Sequence, residues 1–122
     1  MNLLLSKALS GLALAVIASV SSAQEFALAH IASPKHYNIV MENEHVLVLK
    51  MVLKPGESDS AHRHHNETVY FQKGGQLTIT EENGKSFVAD VPDGHVMWHE
   101  AWAHQVSNTG ETEIIAIIVE QK

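Results

Sequence analysis

Six of the nine histidines in this chain fall in two short clusters, His62/His64/His65 and His95/His99/His104. Imidazole is the commonest metal ligand and the side chain that titrates nearest neutral pH. His62-Arg63-His64 is the first arrangement with usable geometry. On a strand, residues two apart project to the same face with Cα atoms ~6.6 Å apart, so both rings can converge on one ion at ~2.1 Å. Arg63 and His65 then point the other way. A lone His-x-His is more often two surface histidines in a polar loop. The pair gains meaning from His104, which opens a later strand closed by the turn Asn108-Thr109-Gly110. One histidine from a neighbouring strand completes a three-nitrogen face. Such a face binds Mn, Fe, Co, Ni, Cu or Zn without choosing sharply among them. It leaves positions open for water or substrate. Each imidazole must be neutral to bind, so affinity is expected to fall below about pH 6.

The remaining histidines carry less. His95 and His99 share a face with Met97, opposite Val96 and Trp98; if the latter two face the core, both histidines lie outside or at the rim. His65 is expected to face solvent or a turn, and His30, His36 and His45 are incidental. Trp102, Tyr70 and Phe71 can line a pocket or fill a core. There is no nucleophile elbow, phosphate loop or Ser-His-Asp order, which sets covalent hydrolase chemistry aside.

The elements that must position these residues are short strands separated by turn signals. His45 to Leu53 reads HVLVLKMVL and stops at Pro55-Gly56. Thr68–Gln72 ends at Gly74-Gly75, and Gln76–Thr80 alternates. Glu82-Asn83-Gly84-Lys85 is a hairpin turn leading into Ser86–Val91, since Asn-Gly supplies the positive φ angles a tight turn needs. His95–His99, His104–Asn108 and Glu113–Glu120 follow. The last run, IIAIIV, is apolar on both faces, which predicts the middle of a packed sheet. Gln24–Pro34 reads as a loose arm, and no helical period follows Ala23. Many short strands at this spacing predict an all-β sandwich or jelly-roll barrel.

Several of these pieces, in order, resemble the small single-domain cupins. Gly56, five residues on His62-x-His64, then Glu67 and Gly74, is similar to the first cupin motif. Gly94 through His104 to Asn108 is similar to the second. Pro55-Gly56, Asn83-Gly84, Val96-x-Trp98, His104-x-Val106-x-Asn108-x-Gly110 and Val119-Glu120 also match, so the likeness runs from about His36 to Lys122. The resemblance implies a double-stranded β-helix (jelly-roll) barrel. It also implies a divalent transition metal (Fe, Mn, Zn, Ni or Cu) held by His62, His64 and His104, with Glu67 as the acidic ligand or catalytic proton carrier. A homodimer is a further implication, with the final strand and His36–Asn43 as contact segments. The chain departs from the pattern in three places. Only two residues separate His64 from Glu67, so an unbroken strand would give Glu67 the wrong parity, while a turn at His65-Asn66 would reset it. Glu100 and Trp102 stand where the second motif has Pro and Gly, and either Glu67 or Glu100 can be the acid that reaches the site. The spacing within the second motif is one residue short.

The chain ends and the charge bound the setting. Lys7, the apolar run Ala8–Val20 and Ser21-Ser22-Ala23 form the three parts of an export signal. The run is about 13 residues where a spanning helix needs ~20. Cleavage after Ala23 is expected, leaving residues 24–122 as one domain in the periplasm or secreted, with no retained membrane anchor. Cysteine is absent, so packing, metal or oligomerisation must do what disulfides do elsewhere. The net charge is −6, or about −7 without Lys7. That disfavours nucleic acid and anionic membrane surfaces. Three functions remain open: a metal-dependent enzyme acting on a small oxygenated or carboxylated molecule, with dioxygenase- or isomerase-type chemistry; a non-catalytic module that binds metal or a small ligand; and a structural domain without a metal.

Overall fold

The computed structural model describes residues 11–15 and 25–122. The expected cleavage exit Ser21-Ser22-Ala23 lies outside the described residues. Among those described, no helix is long and apolar enough to cross a membrane.

A four-residue helix, α1 (Ala29–Ala32), precedes nine strands: β1 (Tyr37–Glu42), β2 (Val46–Leu53), β3 (His62–His64), β4 (Glu67–Lys73), β5 (Gly75–Glu81), β6 (Ser86–Val91), β7 (Val96–His99), β8 (Trp102–Asn108) and β9 (Ile114–Gln121). All named strand pairs are antiparallel. They build a five-stranded sheet in the order β1-β2-β9-β4-β7 and a four-stranded sheet in the order β3-β8-β5-β6. This is the all-β barrel that the strand pattern predicts.

Period-two burial makes the interior. Leu47, Leu49, Met51 and Leu53 of β2 are buried, as are Ile114, Ala116 and Ile118 of β9, and Val69 and Phe71 of β4 meet them. The isoleucine-rich β9 lies in the middle of its sheet, with β2 and β4 on its two edges. It therefore presents no free edge, whereas β1 is an edge strand with Ile39, Val40 and Met41 exposed. The β5–β6 hairpin turns at Gly84 (φ 84°), a left-handed conformation that costs a residue with a Cβ.

Three segments differ from the sequence reading. Tyr37–Glu42 is a strand, although a bulge between Ile39 and Met41 interrupts its pairing with β2. The segment before Pro34 is not a loose arm. The Arg63 N–H donates to the Ala27 carbonyl at 2.9 Å, Leu28 bridges Arg63, and Ala29 is fully buried. Hydrogen bonds to β3 and a buried methyl thus fix the chain just before α1. On β7, Val96 and Trp98 are exposed and Met97 and His99 turn towards the interior, the reverse of the parity expected for that strand.

Asn108 ties the end of the barrel together. Its Nδ2 donates to the carbonyls of Leu53 and Thr112 at 2.8 Å each, and its Oδ1 accepts from Gly110 N–H at 3.1 Å. Asn108→Ala leaves buried carbonyls without donors and is expected to lower stability by about 2–3 kcal/mol. Urea unfolding measures this; a loss within experimental error would show that the bridge is dispensable.

Candidate metal centre

β3 and β8 lie side by side with His62 opposite His104 and His64 opposite Trp102. Residues that pair across strands share a face, so these four side chains point into the barrel. Arg63, between the two histidines, turns outward. His62, His64 and His104 are 0%, 3% and 7% exposed. One ring nitrogen from each lies within 4.8 Å of the others, and their ring centroids are 4.6, 4.8 and 5.1 Å apart.

The proton positions follow from the acceptors around the rings. His62 Nδ1 lies 2.8 Å from the Ser60 carbonyl, which can only accept, so Nδ1 carries the hydrogen and Nε2 the lone pair. His64 Nδ1 lies 3.1 Å from Glu120 Oε1 and 3.3 Å from Glu67 Oε2. A carboxylate partner likewise assigns the hydrogen to Nδ1. The two Nε2 atoms are 2.8 Å apart, so both lone pairs are aimed at the same point. Neither ring nitrogen of His104 has a hydrogen-bond partner, although both are buried. Burial first, then the neighbouring charges of His64 and His62, pushes His104 down to about 2. Burial also holds His64 well below the usual imidazole range. These two rings are thus neutral before any ion arrives, and proton competition for them moves below the pH 6 expected from the sequence.

The strand does break at His65-Asn66: β3 ends at His64, and β4 begins at Glu67 in the other sheet. The parity resets, and Glu67 faces inward at 2% exposure. Glu67 Oε1 accepts the Trp102 indole N–H at 2.9 Å, while Oε2 has no hydrogen-bond partner. Burial pushes the carboxyl up to about 7, against the Trp102 hydrogen bond and with the help of Glu120's charge. Glu100, the other acid considered, is exposed. His65 is half-buried; its backbone N–H donates to Glu120 Oε1 at 2.9 Å. His99 stacks on Trp102 with ring centroids 3.7 Å apart and 19° between the planes. Trp102 in turn lies 4.0 Å from His104. His99 thus supports a side chain that touches the centre.

Three residues that the sequence reading did not place complete the surroundings. Glu120, 0% exposed, holds His64 and is the cross-strand partner of Glu67. It has the same parity as Ile114, Ala116 and Ile118, so a charge at a core position of β9 was the visible signal. Asp59 accepts the Tyr37 hydroxyl at 2.6 Å and Val106 N–H at 2.8 Å, and lies 3.6 Å from His62 Nδ1. It comes from a loop with no periodicity, and Tyr37 opens the strand that the sequence did not reveal. Burial raises both Asp59 and Glu120 above the usual carboxylate range.

In a chelating buffer, Glu67 sets part of the pH dependence of stability. Its carboxyl titrates near 4.5 in the unfolded chain and near 7 in the folded one, so folding favours the protonated form. Its contribution is complete below pH 4.5 and is lost as pH rises through 7. Relative to Glu67→Gln, the parent chain is expected to lose up to about 3 kcal/mol across that window. Urea unfolding of both proteins measures the difference; a constant difference across the window would contradict the buried, raised carboxyl.

No family model matches the chain, and no curated protein does. Solved structures do match. A cupin domain from Bordetella pertussis Tohama I is 22% identical with a TM-score of 0.65; the match covers 83% of this chain and 99% of that one. An RmlC-like cupin family protein with a double-stranded β-helix fold from Methanocaldococcus jannaschii is 18% identical with a TM-score of 0.57, covering 70% and 77%. A conserved protein with a double-stranded β-helix domain from Klebsiella pneumoniae is 20% identical with a TM-score of 0.56, covering 70% and 74%. Strand order, barrel closure and these likenesses agree: the chain has the cupin fold, a double-stranded β-helix.

Proposed function

We propose that this chain holds one divalent transition metal on His62, His64 and His104 and acts through it on a small oxygenated molecule. One observation carries the reading. His62 Nε2 and His64 Nε2 face each other at 2.8 Å with both Nδ1 hydrogens committed elsewhere. Two lone pairs in that position repel unless a positive charge lies between them. A shared proton would relieve that pair but leave His104 buried with no partner. A metal ion satisfies all three rings.

The ring set suits Fe, Mn, Zn, Ni or Cu. Bound there, the ion would supply Lewis acidity or a redox centre. The chain's own residues supply the rest. Glu120 and the Ser60 carbonyl fix the tautomers, so that each ring offers Nε2 inward. Trp102 anchors one oxygen of Glu67, and the other lies 3.3 Å from His64 Nδ1. Glu67, buried beside the rings, is the acid placed to accept or release a proton there.

Removing a group that only orients a ligand typically weakens binding 10–100-fold. Glu120→Gln is expected in that range. His62→Ala and His104→Ala remove ligands and are expected to cost more than about a hundredfold, together with the thermal stabilisation that bound metal gives by mass action. His65→Ala should leave both unchanged. Chelator competition measures the affinities. If His62→Ala holds metal as tightly as the parent, the three-histidine site is wrong and the structural domain becomes the better reading.

A further inference from the structure

The interior space beside the histidines is a cavity of about 50 Å³, room for roughly four waters. His64, Glu67, Trp102 and His104 stand along it. A groove on the outer surface is far larger, about 560 Å³, within the size range of sites that take organic molecules. It is lined by Glu81, Glu82, Asn83, His99, Ala101 and Trp102. Trp102 therefore borders the cavity on one side and the groove on the other. An organic molecule fits the groove but not the cavity as it stands. For such a molecule to reach the histidines, a wall has to move.

Among the described residues, Trp102 and His104 each line both the cavity and an outer pocket. His104 is one of the three rings that would hold the ion, so it cannot turn away without giving the ion up. Trp102 is not a ligand. It opens β8, and its indole is held by two contacts. The indole N–H donates to Glu67 Oε1 at 2.9 Å, and the His99 ring stacks on it at 3.7 Å. The backbone beside it is pinned separately, because the Ala101 N–H donates to Asn66 Oδ1 at 2.8 Å. A turn of the side chain is thus the easier movement. It breaks one hydrogen bond and one stack, joins the cavity to the groove and leaves Glu67 Oε1 without its donor. Holds of that strength leave the open form as a minor state, ~0.1–10% of the population.

We infer that the Trp102 indole is the movable wall that sets what size of molecule reaches the metal. A ligand of a few heavy atoms fits behind the closed indole. A larger one seats its body in the groove and reaches the ion only when the indole has turned outward. This rests on the proposed metal reading and adds the route to that centre.

The full chain is loaded with cobalt(II), whose visible spectrum reports a change of ligands, and titrated with formate and with benzoate. Both present the same carboxylate to the same positive ion, so the comparison isolates size. Formate affinity is expected to be alike in the parent, His99→Ala and Trp102→Ala. Benzoate affinity should rise at least about tenfold in Trp102→Ala, where binding no longer waits on the open minority. It should rise about two- to tenfold in His99→Ala, which keeps the indole and removes the stack. The same opening is read without metal. Trp98→Phe leaves Trp102 as the remaining tryptophan of two, and adding His99→Ala should speed acrylamide quenching of its fluorescence several-fold. This arm also serves if Trp102→Ala does not fold. Benzoate bound as tightly by the cobalt-loaded parent as by Trp102→Ala, benzoate without effect on the cobalt spectrum of Trp102→Ala, or quenching unchanged by His99→Ala overturns the inference alone. Absent cobalt uptake with faster quenching overturns the metal reading and leaves the moving indole standing.

Discussion

Two imidazole nitrogens meet 2.8 Å apart in the middle of this barrel, each with its lone pair turned towards the other. With both Nδ1 hydrogens on their acceptors, a positive charge at the meeting point relieves the two lone pairs, and moving a hydrogen onto either Nε2 takes a donor from its acceptor. His62 would leave the Ser60 carbonyl, and His64 would leave Glu120. Both are buried, so each broken bond would carry its full desolvation cost. The rest of the structure is arranged around that constraint. β3 supplies the two rings, β8 brings His104 opposite the first, and β9 carries Glu120 from the other sheet to hold the second.

The cost of assembling the centre is visible in its acids and bases. Burial drives His64 and His104 towards the neutral form, and it drives Asp59, Glu67 and Glu120 the same way. Without a cation the site is a set of polar groups stripped of water, several lacking partners. A divalent ion would reverse this, since neutral imidazoles are the form that ligates and nearby carboxylates are drawn back towards ionisation by positive charge. The hydrophobic frame that imposes these penalties is built from Leu47, Leu49 and Leu53 of β2 with Ile114 and Ile118 of β9.

Much of the frame was legible in the residues. Val46–Leu53 and Ser86–Val91 are strands with the bounds that their apolar runs and flanking turns imply. The doubly apolar last run is the central strand of its sheet. The meeting of His62, His64 and His104 followed from strand parity together with the likeness to small cupins. What stayed hidden has physical causes. The bulge in Tyr37–Glu42 spoils its alternation, and the three residues of β3 are too few to show any. The inward turn of Met97 and His99 depends on pairing with β4, because Val96 and Trp98 are as apolar as a core face and sequence alone could not choose between the two sides. Glu67's inward direction required the break at His65-Asn66, which permits either parity. Asp59 reaches His62 from a loop, where no periodic signal exists.

The central claim is that three buried histidines share one cation, and elemental analysis tests it most directly. The full chain would be dialysed against zinc or manganese, freed of loose ions by gel filtration and assayed for metal per chain. One ion per chain is the predicted result. A folded protein that emerges with well below one ion per chain from every metal tried would contradict it.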